Sequence, residues 1–291
     1  MTEEVRDSFP QKYLESICEE NGHIYSVPFQ MDIMMFWVNQ ELLKQAGLDE
    51  IKNTGDFDIL QKSLKNPDQY AYGDAWENTH VYNSLSQFVN FWGGDYFDWT
   101  DPKTKDAARY MKSMLDEKNT SPAQFVDQYE QMEEKFIRGK YGCVFMYTSA
   151  LGTFLDADVY GKNKIHMAPL PVLHKKKATN IATWQYVLNN KDAAVRFLQY
   201  AAGYEGSTEY AKIMKSYPAR VDVIENEDID LEGIDMIRKY LREYTLNARP
   251  LCENSMGAVS DMGKLFQGYV LGQCEEDSFF EQAQNCINTY Y

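Results

Sequence analysis

The sequence predicts an α/β protein made of two domains of similar size. Its 291 residues exceed what one hydrophobic core usually supports, so a single compact domain is the weaker alternative. Short apolar or β-rich runs alternate with segments of helical periodicity, which is typical of helices covering a sheet. Hydrophobic residues make up 44% and charged residues 25% of the chain, a composition that indicates globular folding and excludes disorder.

The predicted strands begin near the N-terminus. His23 to Val27 reads as a short strand, and we expect Pro28 to end it. The continuous apolar run from Ile33 to Val38 has strand length and indicates a strand buried on both faces. Three later segments have the β-branched and aromatic composition of strands: Tyr141–Tyr147, Ile165–Leu170 and Thr183–Leu188.

The segments between these strands are predicted to be helical. A short helix follows Val38 and ends at Gly47, and a second runs from Val81 to Trp92 into a Gly pair. Asp101 and Pro102 form a good helix start, because the Asp side chain accepts free N–H groups and Pro at the first position loses no hydrogen bond. That helix is expected to reach Lys118. Further helices are expected at Phe125–Arg138, Asp192–Gly203, Glu205–Lys215, Leu231–Thr245, Ser260–Leu271 and Asp277–Thr289. Between residues 49 and 77 the pattern is weak, and only helix and loop are expected.

The charge distribution argues against binding to nucleic acid. The formal net charge is -15, whereas phosphate binding needs a basic stripe. The run Lys175 to Lys177 is interpreted as a solvated loop or, as the lesser alternative, a contact point for a partner. No apolar stretch approaches the roughly 20 residues that cross a bilayer. Residues 1–10 are acidic and polar, so they do not resemble an export signal.

The reactive residue types form no recognised catalytic or metal-binding motif. The five cysteines lie far apart and are interpreted as small core residues, although a bridge between Cys274 and Cys286 stays open. The histidines stand singly, and P-loop, HExxH and GxSxG motifs are missing. Carboxylate pairs such as Glu133-Glu134 are expected by chance among 44 acidic residues. We therefore expect no catalytic activity, no cofactor and no metal, and an enzyme, most simply a carbohydrate-active one, is the lesser alternative.

One part of the sequence carries a specific resemblance. Residues 22–29 read GHIYSVPF, and residues 36–48 read FWVNQELLKQAGL. They are similar to the "GkiYgvP" strand and the following "lyYNkdlfkkaGl" segment of the bacterial extracellular solute-binding proteins, the family that includes the maltose-binding protein. Weaker matches follow in the family's order at residues 91–94 (FWGG), 136–140 (FIRGK), 167–171 (MAPLP), 193–200 (AAVRFLQY) and 217–220 (YPAR).

The sequence also departs from this family. The family's export signal and its first βαβ region, roughly a hundred residues, have no counterpart, so the chain is expected to begin partway through the first lobe. The family's "PpkTwdEl" helix start is replaced by KNTGDF at residues 52–57, which puts the local helix in doubt.

The resemblance implies a type II periplasmic-binding-protein-like fold, in which hinge strands join two α/β lobes. The first lobe, incomplete, would comprise residues 1–30 and 187–247, and the second lobe residues 31–186 and 248–291. The hinge crossings are expected near Pro28–Met31, Trp184–Asn189 and Ala248–Leu251.

The resemblance also implies a role. The chain is expected to be the substrate-binding component of an ABC importer, outside the cell or in the periplasm, anchored to the membrane by a lipidated N-terminus that this sequence lacks. We expect a monomer that binds a carbohydrate, most simply an oligosaccharide, in a cleft that closes on it, and then contacts the permease. A solute-binding protein for a peptide, a polyamine or a chelated metal is the alternative.

Sugars present hydroxyl groups around apolar C–H faces, so their sites need aromatic platforms and a few hydrogen-bonding groups. The chain contains 21 Tyr, 15 Phe and 5 Trp. By position in the family pattern, the candidate ligand-binding residues are Phe29, Asp32, Trp76, Trp92, Tyr147, Ser149, Trp184 and Arg249. The alternative for each aromatic residue is a core or surface position, and for the charged residues a surface ion pair.

Overall fold

A computed structural model describes residues 6–187 and 192–291. These residues divide into two compact units. Unit 1 consists of the described residues of 1–34 and 179–251, and unit 2 consists of residues 35–178 and 252–291. The predicted division placed the three boundaries after residues 30, 186 and 247, which are four, eight and four residues away from these points. The assignment of the two units to ligand-binding lobes stays a prediction.

The strands, in chain order, are β1 (Glu19–Glu20), β2 (His23–Ile24), β3 (Val27–Asn39), β4 (Tyr70–Gly73), β5 (Tyr141–Tyr147), β6 (Ile165–Ala168), β7 (Ala178–Tyr186) and β8 (Thr245–Asn247). The α-helices are α1 (Gln11–Tyr13), α2 (Gln40–Gln45), α3 (Thr54–Ser63), α4 (Val81–Trp92), α5 (Pro102–Asp116), α6 (Tyr129–Ile137), α7 (Ala150–Asp156), α8 (Asp192–Ala201), α9 (Tyr204–Met214), α10 (Val221–Ile224), α11 (Ile234–Glu243), α12 (Ser255–Val270) and α13 (Glu276–Tyr290).

In unit 1, the first part of β3 runs antiparallel to β7, and β8 lies beside β7. The prediction that Pro28 ends a strand was wrong, because β3 continues through it. The register between β3 and β7 shifts between Pro28 and Gln30, and such a bulge tolerates a residue that has no N–H to donate. The Tyr13 hydroxyl, at the end of α1, donates to the Ala182 carbonyl at 2.8 Å, which ties the N-terminal segment to the sheet.

A buried arginine holds the two chain segments of unit 1 together. Arg220 is 7% exposed, and its Nη2 donates to Ser8 Oγ at 2.9 Å and to Asp222 Oδ2 at 2.6 Å. Its guanidinium also lies 5.7 Å from the ring centre of Phe9. Since a buried charge needs a partner and hydrogen bonds, the YPAR segment at residues 217–220 is held in place by these contacts.

In unit 2, β4 and β5 are parallel, β5 neighbours β3, and β6 runs antiparallel to the end of β3 with Phe36 opposite Ala168. The core is aromatic. The ring of Phe145 lies between 4.9 and 5.8 Å from its neighbours Phe36, Tyr72, Phe88 and Phe91. The predicted strand Tyr141–Tyr147 is confirmed, and the strand predicted at Ile165–Leu170 is present but ends at Ala168; both supply buried residues.

Several helix boundaries follow their predicted local signals. Helix α4 spans Val81–Trp92 as predicted, and Gly93 ends it in the left-handed conformation at φ 76°. The Asp101 side chain accepts from the Lys103 N–H at 2.9 Å, which confirms it as the N-cap of α5. Gly47, at φ 70°, ends the short helix α2. These signals succeed because caps depend on neighbours within one or two turns.

Other elements differ from the prediction. Strand β4 was not predicted, whereas helix α3 agrees with the helix and loop expected between residues 49 and 77. The doubt about a helix after residue 52 is removed by a capping box, in which Asn53 accepts from the Gly55 N–H and Asp56 accepts from the Asn53 N–H. The helix predicted from Phe125 starts only at Tyr129, after a 3₁₀ turn. Strand β7 begins before the predicted Thr183, and Leu188 lies outside the described residues.

All five cysteines lie in the described part of the chain and are thiols. Cys18 and Cys143 are buried, as expected of core residues, and burial raises the pKa of both. The bridge left open between Cys274 and Cys286 is not formed.

We expect Gly263→Ala to destabilise unit 2 by about 1–3 kcal/mol, the usual cost of overpacking. Gly263 lies in α12, and a Cβ there would be 2.0 Å from the carbonyl oxygen of Asn78. The same substitution at Gly268, also in α12, would meet only Gln273 Oε1, at 4.0 Å, so higher helix propensity should stabilise by up to about 1 kcal/mol. Urea unfolding of both variants measures the difference, and equal stabilities would contradict the contact.

Candidate functional site

Trp184, in strand β7 of unit 1, is the one tryptophan with a widely exposed side chain. It is 62% exposed, whereas the other four tryptophans of the chain are at most 9% exposed. Burying a tryptophan ring contributes more apolar area than burying almost any other side chain. An exposed ring on a strand therefore offers a face on which a ligand can stack.

Two polar side chains share the side of the sheet on which Trp184 lies. Gln30 is directly opposite Trp184 in the β3–β7 ladder, and Asp32 is directly opposite Ala182. Because opposite residues of an antiparallel pair point to the same side and alternate residues of a strand do so too, Trp184, Gln30 and Asp32 are on one face. Asp32 is 6% exposed.

A tyrosine from helix α9 completes this group. The Tyr210 hydroxyl donates to Gln30 Oε1 at 2.5 Å. Burial is the main reason why the pKa of Tyr210 is raised; a hydrogen bond with Ser216 opposes it, and the charges of Tyr186 and Asp32 add to it. The phenol therefore stays protonated at neutral pH and remains a donor. We call Trp184, Gln30, Asp32 and Tyr210 the Trp184 face.

Phe29 forms part of an aromatic cluster next to this face. Its ring stacks on Tyr186 with the centres 4.2 Å apart and an interplanar angle of 21°. It also meets the ring of Tyr210 edge to face at 5.6 Å, and Tyr186 in turn contacts Phe197 at 5.9 Å. One ring face of Phe29 is thus occupied by Tyr186, so Phe29 supports the neighbouring aromatic residues.

Arg249, the other candidate of unit 1, follows strand β8 and is half-buried. Two residues further on, the Leu251 N–H donates to the Ser16 carbonyl at 3.1 Å. The backbone next to Arg249 is therefore anchored to the N-terminal segment of the same unit. Its role in ligand binding stays a prediction.

In unit 2, Trp92 ends helix α4 and is only 9% exposed. Its ring stacks on the imidazole of His174 at 4.9 Å with an interplanar angle of 7° and lies 4.9 Å from the ring of Tyr110. The backbone N–H groups of Lys175 and Lys176 donate to the Phe91 carbonyl at 3.3 and 3.2 Å. The basic run is thus an exposed loop held at the C-terminal end of a helix, where positive charge is favourable.

Tyr147 and Ser149 lie together at the end of strand β5. The Tyr147 hydroxyl donates to Asn83 Oδ1 at 3.3 Å, and its side chain is half-buried. Ser149 is exposed at the start of helix α7 and does not cap it, because its own φ and ψ of -57° and -25° are already helical. Both residues have polar groups at a strand end, and their contact with a ligand stays a prediction.

Trp76 requires a correction. The sequence suggested it as an extra platform, but it is 0% exposed. Its ring packs edge to face against Phe125 at 5.4 Å and Phe266 at 5.5 Å, and its Nε1 donates to Asp74 Oδ2 at 2.7 Å. Because both ring edges and its only donor are engaged inside unit 2, Trp76 is a core residue.

Among the described residues, no group of three or more His, Cys, Asp or Glu side chains is placed to hold a metal ion. No helix in this part of the chain has both the length and the apolar character needed to cross a membrane.

The sequence profile of the family described as "Bacterial extracellular solute-binding protein" matches residues 2–208, which is more than half of the 291 residues. The chain belongs to this family. The resemblance carried by residues 22–29 and 36–48 is thereby confirmed. Proteins of this family bind solutes outside the cell or in the periplasm.

Two curated relatives of this solute-binding protein have low sequence identity. The "Probable amino-acid ABC transporter periplasmic-binding protein" of Sinorhizobium fredii is 23% identical over 239 residues, which are 77% of this chain and 54% of that protein. The arabinooligosaccharide-binding protein of Bacillus subtilis is 22% identical over 248 residues, 79% of this chain and 56% of that protein. The chain therefore spans about half the length of the curated relatives that it matches.

Solved structures establish the fold of this solute-binding protein. Maltose-bound MalE3 of T. maritima matches with a TM-score of 0.79 at 16% identity, over 97% of this chain and 76% of that chain. The cyclic α-maltosyl-1,6-maltose binding protein of Arthrobacter globiformis matches with a TM-score of 0.75 at 18% identity, over 98% and 78%. The predicted type II periplasmic-binding-protein-like α/β fold is confirmed.

Gln30, Tyr210 and His174 were missed as site candidates. Strand alternation could have placed Gln30 beside Asp32 on one face. No sequence signal pairs Gln30 with Tyr210, because they are 180 residues apart.

Proposed function

We propose that this solute-binding protein is the carbohydrate-binding component of an ABC importer and that it delivers an oligosaccharide to a membrane permease without breaking a bond. The observation that carries the proposal is Trp184, an exposed ring with an amide and a carboxyl group on the same face of the sheet. A stacked sugar ring needs an aromatic surface for its C–H groups and polar neighbours for its hydroxyl groups.

The relatives support this proposal. The arabinooligosaccharide-binding protein and the maltose-bound structure both carry a sugar in their names, and both share the family or the fold of this chain. The Sinorhizobium relative is named for amino acids, so an amino acid is a ligand class that the experiment must include.

The test uses the full-length protein and a panel of oligosaccharides, amino acids and polyamines in a thermal unfolding assay. A ligand that binds only the folded state stabilises it by about 2.7 kcal/mol at a hundred times its Kd. We expect one or more oligosaccharides to raise the Tm and the other two classes to leave it unchanged. Chromatography of the sugar after incubation should return it intact.

Two results would contradict the proposal. Stabilisation by an amino acid or a polyamine alone would assign the protein to another ligand class. Cleavage of the sugar by the purified protein would make it an enzyme.

A further inference from the structure

We propose that Gln30, held in place by Tyr210, is a specificity-determining residue of the Trp184 face: its amide donates a hydrogen bond to one hydroxyl group of a neutral sugar stacked on Trp184. This inference rests on the proposed function and adds to it the residue that distinguishes one sugar from another. No sequence signal pairs Gln30 with Tyr210, which are 180 residues apart.

The first step of the argument is the orientation of the Gln30 amide. A glutamine side chain has one acceptor oxygen and an NH₂ group with two donors. The oxygen is engaged by the Tyr210 hydroxyl at 2.5 Å. Within the described residues, Nε2 of Gln30 has no hydrogen-bond partner. This nitrogen is not buried, so it is accessible to solvent. Tyr210 therefore fixes the amide with its donors directed away from the phenol and open to a ligand.

The second step is the distance from the amide to the platform. Gln30 and Trp184 are direct partners in the ladder, and the Cβ atoms of such pairs are about 4.5–5.5 Å apart. A Gln amide reaches the rim of a neighbouring indole ring from that separation. A sugar stacked on the ring directs its hydroxyl groups toward this rim, because its C–H groups face the ring.

The third step concerns charge. Asp32 follows two residues after Gln30 on the same face and is close enough to Tyr210 to raise the pKa of the phenol. A carboxyl group accepts hydrogen bonds from hydroxyl groups and repels a ligand carboxylate. Together, an amide donor and a flat ring favour a neutral polyhydroxy ligand, and the buried carboxyl group of Asp32 beside them disfavours an amino acid or another anion.

The test compares, by calorimetry on the full-length protein, an oligosaccharide that stabilises it with the monodeoxy analogues of that sugar. One hydrogen bond corresponds to about a three- to tenfold change in Kd. We expect the wild type to bind one analogue three- to tenfold more weakly than the parent sugar. Gln30→Leu should weaken binding of the parent sugar by the same factor. This variant should bind that analogue and the parent sugar with equal Kd. Tyr210→Phe should have a smaller effect in the same direction, both on the Kd of the parent sugar relative to the wild type and on the ratio of the analogue's Kd to the parent's. The reason is that it removes only the hydrogen bond that holds the Gln30 amide in place.

Gln199→Leu is the matched control, since Gln199 is an exposed glutamine of helix α8 in the same unit; its Kd values should equal those of the wild type. If thermal unfolding shows that Gln30→Leu does not fold, Gln30→Met, which also lacks the amide, replaces it in the test. The role of Gln30 would be overturned if, for every analogue, the ratio of its Kd to that of the parent sugar were the same in Gln30→Leu as in the wild type. The proposed function would still stand if Trp184→Ala weakened binding of the parent sugar. Failure of the wild type to bind any oligosaccharide would overturn both.

Discussion

Trp184→Ala is expected to weaken oligosaccharide binding by about 2–3 kcal/mol, or roughly 30- to 150-fold in Kd. One face of an indole ring covers roughly 100 Å² of ligand, and burying apolar area stabilises by about 25 cal/mol per Å². Because Trp184 is 62% exposed in the structure, its loss removes little packing, so the Tm without ligand should change by only a few degrees. Calorimetry gives the Kd, and thermal unfolding gives the Tm.

Two further variants make this result specific. Trp184→Phe keeps a smaller aromatic face and should recover most of the affinity. Tyr25→Ala removes an aromatic side chain that is also 62% exposed in unit 1 but lies in the segment between β2 and β3, so its Kd should match that of the wild type. If Trp184→Ala binds as tightly as the wild type, the Trp184 face is not the sugar site.

Asp74→Ala is expected to destabilise unit 2 by about 3–5 kcal/mol, because it removes the acceptor of three buried hydrogen-bond donors. Asp74 is 2% exposed. Its Oδ2 accepts from the Tyr72 hydroxyl and from Trp76 Nε1, both at 2.7 Å, and its Oδ1 accepts from the Ala75 N–H at 2.8 Å. Alanine would leave these donors buried without an acceptor, and each such group costs about 1–3 kcal/mol.

The effect of Asp74 should also depend on pH. Burial raises the pKa of Asp74 and outweighs the hydrogen bonds from Tyr72, Trp76 and Ala75, which lower it. The folded state therefore holds the proton more tightly than the unfolded chain. The stability that this proton contributes is present below the unfolded value, about 3.9, and is lost as the pH rises through the raised folded pKa. The destabilisation by Asp74→Ala should accordingly decrease as the pH rises through that interval.

Urea unfolding at several pH values, followed by tryptophan fluorescence, measures this effect, because Trp37, Trp76, Trp92 and Trp99 all lie in unit 2. Asp116→Ala is the matched control: Asp116 is a mostly exposed residue of the same unit that pairs with Lys112 at 2.9 Å, and such pairs contribute at most about 1 kcal/mol. Equal losses for the two Asp variants would refute the buried network.

The environment of Trp76, which donates to Asp74 in this network, shows why Trp76 was misjudged from the sequence. A tryptophan next to Ala75 and Glu77 carries no local sign of burial. Its environment is set by Phe125 and by Phe266, which lie far along the chain. Trp184 was assigned correctly to a strand, but nothing local distinguished its exposure from the burial of Trp76.

Local residue patterns were enough to predict the α/β class, the family and several helix boundaries. Caps such as Asp101, terminators such as Gly93 and the buried run of β3 act through residues within one or two turns or along one strand. Helix α3, whose start was in doubt from the sequence, likewise has its cause in a local pair, Asn53 and Asp56.

The exposure of each aromatic ring and the polar groups beside it depend on long-range packing. Trp184 is exposed, whereas Trp92 is covered by His174 and Trp76 lies in a core. The pair of Gln30 and Tyr210 forms across 180 residues. Burial and long-range hydrogen bonds depend on which distant segments pack together, and residue type and periodicity do not specify these contacts.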